Sequence, residues 1–376
     1  MGKRVLLVTI FDNKNLGNRL QHLALQNCLE EMGYEVHSIK YTAVWEKYGR
    51  QYLKAACKTF LTKMHIKKYK RNAIRDVTRR RQRIRKFEGF SQKYIHNIHY
   101  MEYVDAFKQD MSEYDCSIVG SDQVWHNWHM QKKELEFFYL TFMPKRKRIA
   151  YAPSFGFTEF PKRDIGMHYK GLMEMRALSC REAEGCDLIE DLTGRKAKCV
   201  LDPTLLYDAE QWEIYESKPA MNEITDKYLL LYFIGEIEEN QKRYIDTIAE
   251  EQKLKIVNVL DPDTYYFEQI GPSEFLWLIH HAEYVMTDSF HATVFSIIYN
   301  KRFIVCKRNS KNMPKMFGRI QNLLELTNNK DRIFSAEDFS DIGTSINQLK
   351  DSELFMRRRS FSLEYLRKSI DRVDDY

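Results

Sequence analysis

Several broad protein classes are excluded by what this chain lacks. No stretch of its 376 residues approaches the ~20 consecutive apolar residues that a membrane span requires. Near the start there is one short apolar run, Val5–Ile10, followed at once by Phe11, Asp12 and Asn13. A secretory leader has a longer apolar region and a small-residue cleavage site. The run is therefore expected to be a first core strand, and the protein cytoplasmic. The seven cysteines, Cys28, Cys57, Cys116, Cys180, Cys186, Cys199 and Cys306, are odd in number and show no CxxC pair. That argues against a disulfide framework or a zinc knuckle and for small buried thiols. There is no internal repeat, no low-complexity tract, no GxGxxG fingerprint and no GxSxG elbow. No metal signature is visible either. His280-His281 and His126-x-x-His129 lack partner ligands at a recognisable spacing, so both pairs read as structural or surface residues.

What is present is the composition of a soluble globular protein, 44% hydrophobic and 30% charged. The length suits two domains, each large enough to bury its own core. The net charge of +6 is unevenly spread. Lys67–Lys86 holds eleven Lys or Arg against one acid, Asp76, a segment charge of +10 that leaves the rest of the chain acidic.

Strand-like and helix-like stretches alternate through the first half. Arg4–Ile10 is a continuous apolar strand. Gly17–Met32 places Leu20, Leu23, Ala24, Asn27, Cys28 and Glu31 three and four apart, as on a helix, with Gly33 as its stop before strand Glu35–Tyr41. Residues 45–110 break the alternation and are rich in Lys, Arg and Tyr. Ile66, Tyr69, Ala73, Val77, Ile84 and Phe87 form one apolar stripe there, which predicts an inserted basic helical segment. Strands then resume at Asp115–Gly120, Arg148–Ser154, Ala177–Arg181 and Lys198–Leu201, with a helix over Glu182–Asp191 and a turn at Asp202-Pro203. The second half alternates strands Lys227–Ile234, Lys255–Leu260, Glu283–Thr287 and Arg302–Cys306 with helices Glu238–Gln252, Pro272–Ala282 and His291–Asn300. The predicted fold is α/β, with two Rossmann-like, doubly wound domains facing a cleft. They cover residues 1–205, including the insertion at about 45–110, and 206–335. A charged helical tail over 336–376 completes the chain.

In such a fold ligands meet the C-terminal ends of strands, so residues just after strands are the candidates. After the first strand, Gly17, Asn18 and Arg19 open a helix whose free N–H groups suit an anion, although an ordinary capped turn has the same pattern. In Gly120–Trp125, Ser121 and Asp122 present a hydroxyl and a carboxylate. Asp122 would orient a sugar hydroxyl or accept its proton, and Trp125 would pack against a sugar face. The same Ser-Asp pair also suits an N-cap. Arg181 ends a buried strand and needs an anionic partner, either a ligand or Glu182 or Glu184. Asp202-Pro203 reads mainly as a turn. In Thr287–Thr293, Asp288, Ser289 and His291 meet at a helix start, where Asp288 is the alternative to Asp122 as acceptor of a hydroxyl proton, Ser289 would bind phosphate, and a histidine that titrates near neutral pH can exchange a proton with a substrate. The basic segment Lys67–Lys86 reads as a docking face for an anionic bilayer or a lipid phosphate, with a solvated face as the alternative. No nucleic-acid module is visible.

These motifs, in this order, resemble the polysaccharide pyruvyl transferase family. The likeness rests on Asn15–Gln21, Gly120–Trp125, Cys180-Arg181-Glu182, Asp202–Leu206, Thr287–Thr293 and Arg319-Ile320, and spans roughly residues 5–330. It implies a glycosyltransferase-B-like pair of domains, an acceptor side in 1–205 and a donor side in 206–335. It implies phosphoenolpyruvate as donor with no further cofactor, and an acceptor sugar in a surface polysaccharide or its lipid-linked precursor. The protein would then work in the cytoplasm, peripheral to the inner face of the membrane. His291 falls on the family's catalytic histidine, and Arg181 on an arginine that binds the donor. Many members carry Arg-Leu-His-Gly where this chain has Ser289-Phe290-His291-Ala292. The missing cation leaves Arg319 or Lys307 to take its place. Two other readings share the architecture. One is a sugar-nucleotide glycosyltransferase with Asp261 or Asp263 on a ribose. The other is a non-catalytic scaffold in polysaccharide assembly.

Overall fold

The computed structural model describes residues 2–13, 15–41, 73–126, 132–220, 227–261, 264, 266–308, 317–335, 349 and 352–371. Two parallel sheets frame it. The first contains β1 (Arg4–Val8), β2 (Glu35–Tyr41), β3 (Ile98–Met101), β4 (Cys116–Val119) and β5 (Arg148–Ala150), in the order β3-β2-β1-β4-β5. All neighbouring pairs are parallel. Two short parallel strands, β6 (Ser179–Cys180) and β7 (Lys198–Cys199), lie beyond a bridge between Ile149 and Ala177. The second sheet contains β8 (Tyr228–Tyr232), β9 (Lys255–Asn258), β10 (Tyr284–Thr287) and β11 (Arg302–Val305), in the order β11-β10-β8-β9, again all parallel. The buried runs of the central strands β1, β4, β8 and β10 are what strands covered on both faces require. β3 corrects one expectation. It lies inside the segment read as wholly helical, yet it pairs with β2 as the edge of the first sheet.

Twelve helices surround the sheets in the described residues. They are α1 (Leu16–Glu31), α2 (Ala73–Tyr94), α3 (Lys132–Phe138), α4 (Ile165–Met173), α5 (Ala183–Thr193), α6 (Ala209–Glu213), α7 (Glu239–Glu251), α8 (Tyr266–Gln269), α9 (Pro272–His281), α10 (Phe290–Ile298), α11 (Gly318–Leu326) and α12 (Glu353–Asp371). α1 is buried on nearly every side, beyond the apolar stripe that its sequence shows. Its buried polar residues are matched individually: Gln21 donates to the Thr9 hydroxyl (2.8 Å), His22 pairs with Ser38 (2.8 Å) and Gln26 donates to the Tyr94 carbonyl (3.1 Å).

The basic segment divides at the edge of the described residues. Positions 67–72 lie outside them. In α2, Arg79 pairs with Glu268 (2.9 Å), Arg83 donates to the Phe267 carbonyl (3.0 Å) and Lys86 pairs with Glu274 (2.6 Å). Those three cations fasten an insertion of the first half onto α8 and α9 of the second. Arg80 and Arg85 remain exposed.

The expectation that each half buries its own core needs revision. The largest apolar cluster runs through both sheets. It takes Val5 and Leu7 from β1, Trp212 from α6, Leu230 from β8, Val285 from β10, Phe295 from α10 and Leu366 from α12. The alternate residues Leu6 and Val8 face a separate cluster on the outer side of the first sheet, as the two-residue period of a strand dictates. Leu229, Leu231 and Met286 do the same for the second sheet. The last helix closes the arrangement by returning to the first half. Arg358 donates to the Cys199 carbonyl (2.9 Å), Ser362 accepts from the Leu201 N–H (3.0 Å) and Tyr365 donates to the Ala150 carbonyl (3.0 Å). Among the described residues no helix is long and apolar enough to cross a membrane.

A shared core predicts that the two halves unfold together. Trp212 is fully buried, stands edge-on to Phe295 (5.0 Å) and donates its indole N–H to the Thr204 carbonyl (3.1 Å). Trp212→Ala should cost about 3–5 kcal/mol and lower one common transition. Denaturant unfolding followed by fluorescence and circular dichroism checks this, and two separate wild-type transitions would contradict it.

Candidate active site

In each sheet the chain reverses its direction of growth at one place, between β1 and β4 in the first and between β8 and β10 in the second. Crevices open at such switch points, beyond the strand C-termini. Asn18, Ser121 and Asp122 come from the first, and Asp288, Ser289 and His291 from the second. Arg181 follows β6 and Asp202 follows β7, and both join the same cluster.

α10 begins at Ser289, whose N–H donates to the Thr287 hydroxyl (3.0 Å) and whose carbonyl accepts from the Thr293 hydroxyl (2.9 Å). This fixes the first turn and aims the His291 ring at the first turn of α1. A Cβ on Gly17 would come within 2.1 Å of His291 Cγ. Glycine is thus required at position 17 by the close approach of the two helix starts. The Gly17 and Asn18 N–H groups are themselves capped by the Asn15 side chain (3.1 and 3.4 Å).

Arg181 and Asp202 form the centre of the cluster. The Arg181 guanidinium lies 2.7 Å from Asp202, 3.2 Å from Glu182 and 3.7 Å from Asp122. Its Nη2 is buried without a hydrogen bond. Asp202 also accepts from the Ser121 hydroxyl (2.9 Å), from the Thr204 hydroxyl (2.7 Å) and from the Thr204 N–H (3.0 Å). Burial pushes its carboxyl up, but Arg181, His291 and Thr204 outweigh that and hold it at about 2. Asp122 sits at φ 71°, a conformation that Asp and Asn tolerate better than other non-glycine residues. It accepts from Asn18 Nδ2 (3.0 Å) and from the Gln123 N–H (2.9 Å). Burial raises its carboxyl too, yet Arg181, His291 and Asn18 keep it below the usual range. Both groups are therefore ionised near neutral pH.

His291 is buried, with Nε2 3.8 Å from Asp202 and without a hydrogen bond. Burial lowers its pKa below the ordinary 6.5. Asp202 and Asp122 pull it back up, and Arg181 and Arg319 press it down. At neutral pH the ring is uncharged and able to accept a proton.

Arg319, at the start of α11, reaches the same place. Its Nε is buried without a hydrogen bond, and its nearest carboxylate is Glu182 at 3.8 Å. Burial and the neighbouring Arg181 pull it down to about 10. The Phe290 ring lies between the two guanidiniums, 4.6 Å from that of Arg181 and 6.0 Å from that of Arg319. A cavity of about 250 Å³ opens beside them, lined by Arg181, Glu182, Asp202, Phe290, Arg319 and Arg358 among others.

Other candidates lie elsewhere or are already engaged. Asp288 accepts from the Ile234 and Gly235 N–H groups (2.7 and 2.8 Å) and from Arg308 (2.9 Å). Its carboxylate therefore clamps the loop after β8. Trp125 has no exposed surface for a sugar. It stacks on Tyr139 (5.3 Å) in the outer core of the first sheet, because its indole N–H is satisfied by the Phe138 carbonyl (3.2 Å). Arg19 is turned back over the Phe11 ring (3.6 Å) and donates to the Asp12 carbonyl (2.6 Å). Lys307 is exposed above Phe317 (5.6 Å). Asp263 and His129 lie outside the described residues. The sequence around Asp202 has the pattern of a turn. That residue's position directly after a short strand, the same signal that marks Asp122 and Asp288, is the clue to its place here.

Asp202 raises the His291 pKa, so Asp202→Asn should lower it further. A nitrogen-detected NMR titration of the imidazole measures this, and an unchanged or higher value would show that the two groups do not interact as described.

No curated protein sequence matches the chain. Among solved structures it is similar to S. aureus MnaA in a UDP co-structure, with 12% identity, 97% of this chain and 94% of that one covered, and a TM-score of 0.48. It is also similar to a UDP-GlcNAc 2-epimerase from Methanocaldococcus jannaschii, with 13% identity, 96% and 99% covered, and a TM-score of 0.45. For Acinetobacter baumannii MurG the values are 9%, 100% and 100%, and 0.40. The family model for polysaccharide pyruvyl transferase matches residues 15–310, a span that holds Asn18, Asp122, Arg181, Asp202 and His291, and the chain belongs to that enzyme family.

Proposed function

We propose that this protein transfers the pyruvyl group of phosphoenolpyruvate to sugar hydroxyls of a surface polysaccharide or its lipid-linked precursor, closing a pyruvate ketal. The observation that carries the reading is an uncharged buried imidazole beside two guanidiniums that each have a buried nitrogen without a hydrogen bond. Arg319 in particular has one carboxylate neighbour, Glu182 at 3.8 Å; a buried cation so placed is costly, and an anionic donor relieves that cost. Phosphoenolpyruvate offers a phosphate and a carboxylate, one for each arginine, and the neighbouring cavity has room for a three-carbon phosphate. On this reading Arg319 supplies the cation that Ser289 does not.

The chemistry needs two C–O bonds made at C2 of the donor and one broken. His291 accepts the proton of the first hydroxyl as its oxygen bonds to C2. Asp202 and Asp122 stabilise the transient imidazolium, which delivers that proton to the methylene carbon, and the methylene becomes a methyl group. The second hydroxyl replaces phosphate at C2, and its proton leaves with the phosphate. Asp122 acts as a fixed charge here and Asp288 as a loop clamp. A lipid-linked acceptor would bring the protein to an anionic membrane face, which the basic segment around Arg80 and Arg85 would meet.

Phosphate release from phosphoenolpyruvate with a panel of lipid-linked or nitrophenyl sugars, followed by product mass, tests the activity. His291→Ala should lower turnover by about 10²–10⁴-fold while leaving the melting temperature near wild type; near-normal turnover would sink the assignment. Because the depressed histidine must be unprotonated to act as base, kcat/KM should fall on the acid side only below pH 6.5. Phosphoenolpyruvate alone should raise the melting temperature, and Arg319→Ala should abolish that rise. Stabilisation by a sugar nucleotide instead would point to glycosyl transfer, and by neither to a scaffold.

A further inference from the structure

His280 and His281 end α9 just before the N-terminal end of β10, and His291 follows its C-terminal end. In sequence they have no ligand partner. In the fold they have one, because Glu216 comes from the connector that leads out of the first half. We infer that Glu216, His280 and His281 form a binding site for a borderline divalent transition metal, with zinc as the best fit.

One ligand atom from each of the three lies within 4.8 Å of the others. Zinc with bonds of 2.0–2.1 Å holds tetrahedral ligands about 3.3 Å apart, so a small side-chain adjustment closes the set. The donors, two imidazoles and a carboxylate, are of the type zinc prefers, with water completing the shell. His281 is already oriented. Its Nδ1 lies 3.0 Å from the Trp277 carbonyl, which can only accept, so Nδ1 carries the proton and Nε2 keeps its lone pair. The ring is held flat on Trp277 (4.2 Å, 14°). His280 is stacked just as closely on Tyr299 (4.4 Å, 8°), and its Nδ1 lies 2.9 Å from Glu216. A carboxylate also only accepts, so in the metal-free protein Nδ1 carries the proton, and for metal to bind Nδ1 the neutral ring moves that proton to Nε2.

A second observation points the same way. Tyr299 is 6% exposed, and its buried hydroxyl faces the Glu216 carboxylate. A cation at Glu216 would neutralise the carboxylate that this phenol faces. Glu213 stands 3.9 Å from His280 Nε2 at the rim, while the Lys301 ammonium is engaged by the His280 carbonyl (2.7 Å).

The consequence is mechanical. The connector is tied to α1 through Tyr207 to Glu31 and through Asn27 to the Tyr215 hydroxyl (2.6 Å). Metal at Glu216 would fasten that same connector to α9, and so hold the first half against the second.

Zinc titration of the untagged, chelator-stripped full chain by calorimetry and thermal melting tests the site without reference to activity. The wild type should take up one zinc and melt higher. His281→Ala, an exposed position, and Glu216→Gln should each weaken binding by at least ~10-fold, and His291→Ala should not. No uptake by the wild type, equal uptake by both site variants, or loss in His291→Ala would each overturn the proposal.

Discussion

A guanidinium buried among three carboxylates is the constraint around which the active cleft is organised. Arg181 is nearly inaccessible, and removing water from it is tolerable only because Asp202, Glu182 and Asp122 all approach it. These four residues follow three strands, β4 of the first sheet and the short pair β6 and β7. Their mutual need sets the relative placement of the loops after β4, β6 and β7. Such a cluster adds little net stability, since desolvation consumes much of the Coulomb attraction. What it supplies is a fixed geometry and a fixed field. The carboxylates stay ionised, and His291 stays uncharged beside them, because burial outweighs their pull on the imidazole.

The second half reaches that field by close contact. Gly17 lets the first turn of α1 lie against the His291 ring, and Phe290 sits between Arg181 and Arg319. This contact is possible because the two sheets share one apolar core, with α1, α6, α10 and α12 packed between them. The alternation along β1 shows how economically this is arranged. Val5 and Leu7 serve the shared core, while Leu6 and Val8 serve the outer one. Arg79, Arg83 and Lys86 of α2 add polar fastenings across the same boundary. They explain why part of a strongly basic segment faces protein rather than solvent.

Periodicity and punctuation in the chain were enough to determine the alternating parallel strands, the helices between them and the positions just after strands where His291, Asp122 and Arg181 stand. Those features are local, since apolar runs, helical spacing and polar residues at strand ends do not depend on distant partners. The ordered motifs were also enough to identify the family. Other features depended on the third dimension. β3 has a short, weakly apolar sequence and is a strand because β2 offers it an edge. Trp125 and Asp288 carry chemistry-bearing side chains, but Phe138 in one case and Ile234, Gly235 and Arg308 in the other occupy their polar atoms. Asp202 looked like a turn residue until Arg181, Ser121 and His291 converged on it. Glu216 and His280 lie far apart in sequence and meet only when the connector packs on α9. In each case the deciding quantity was burial beside a specific distant charge or donor. Sequence spacing carries no information about that, because it is set by how the two sheets close on one another.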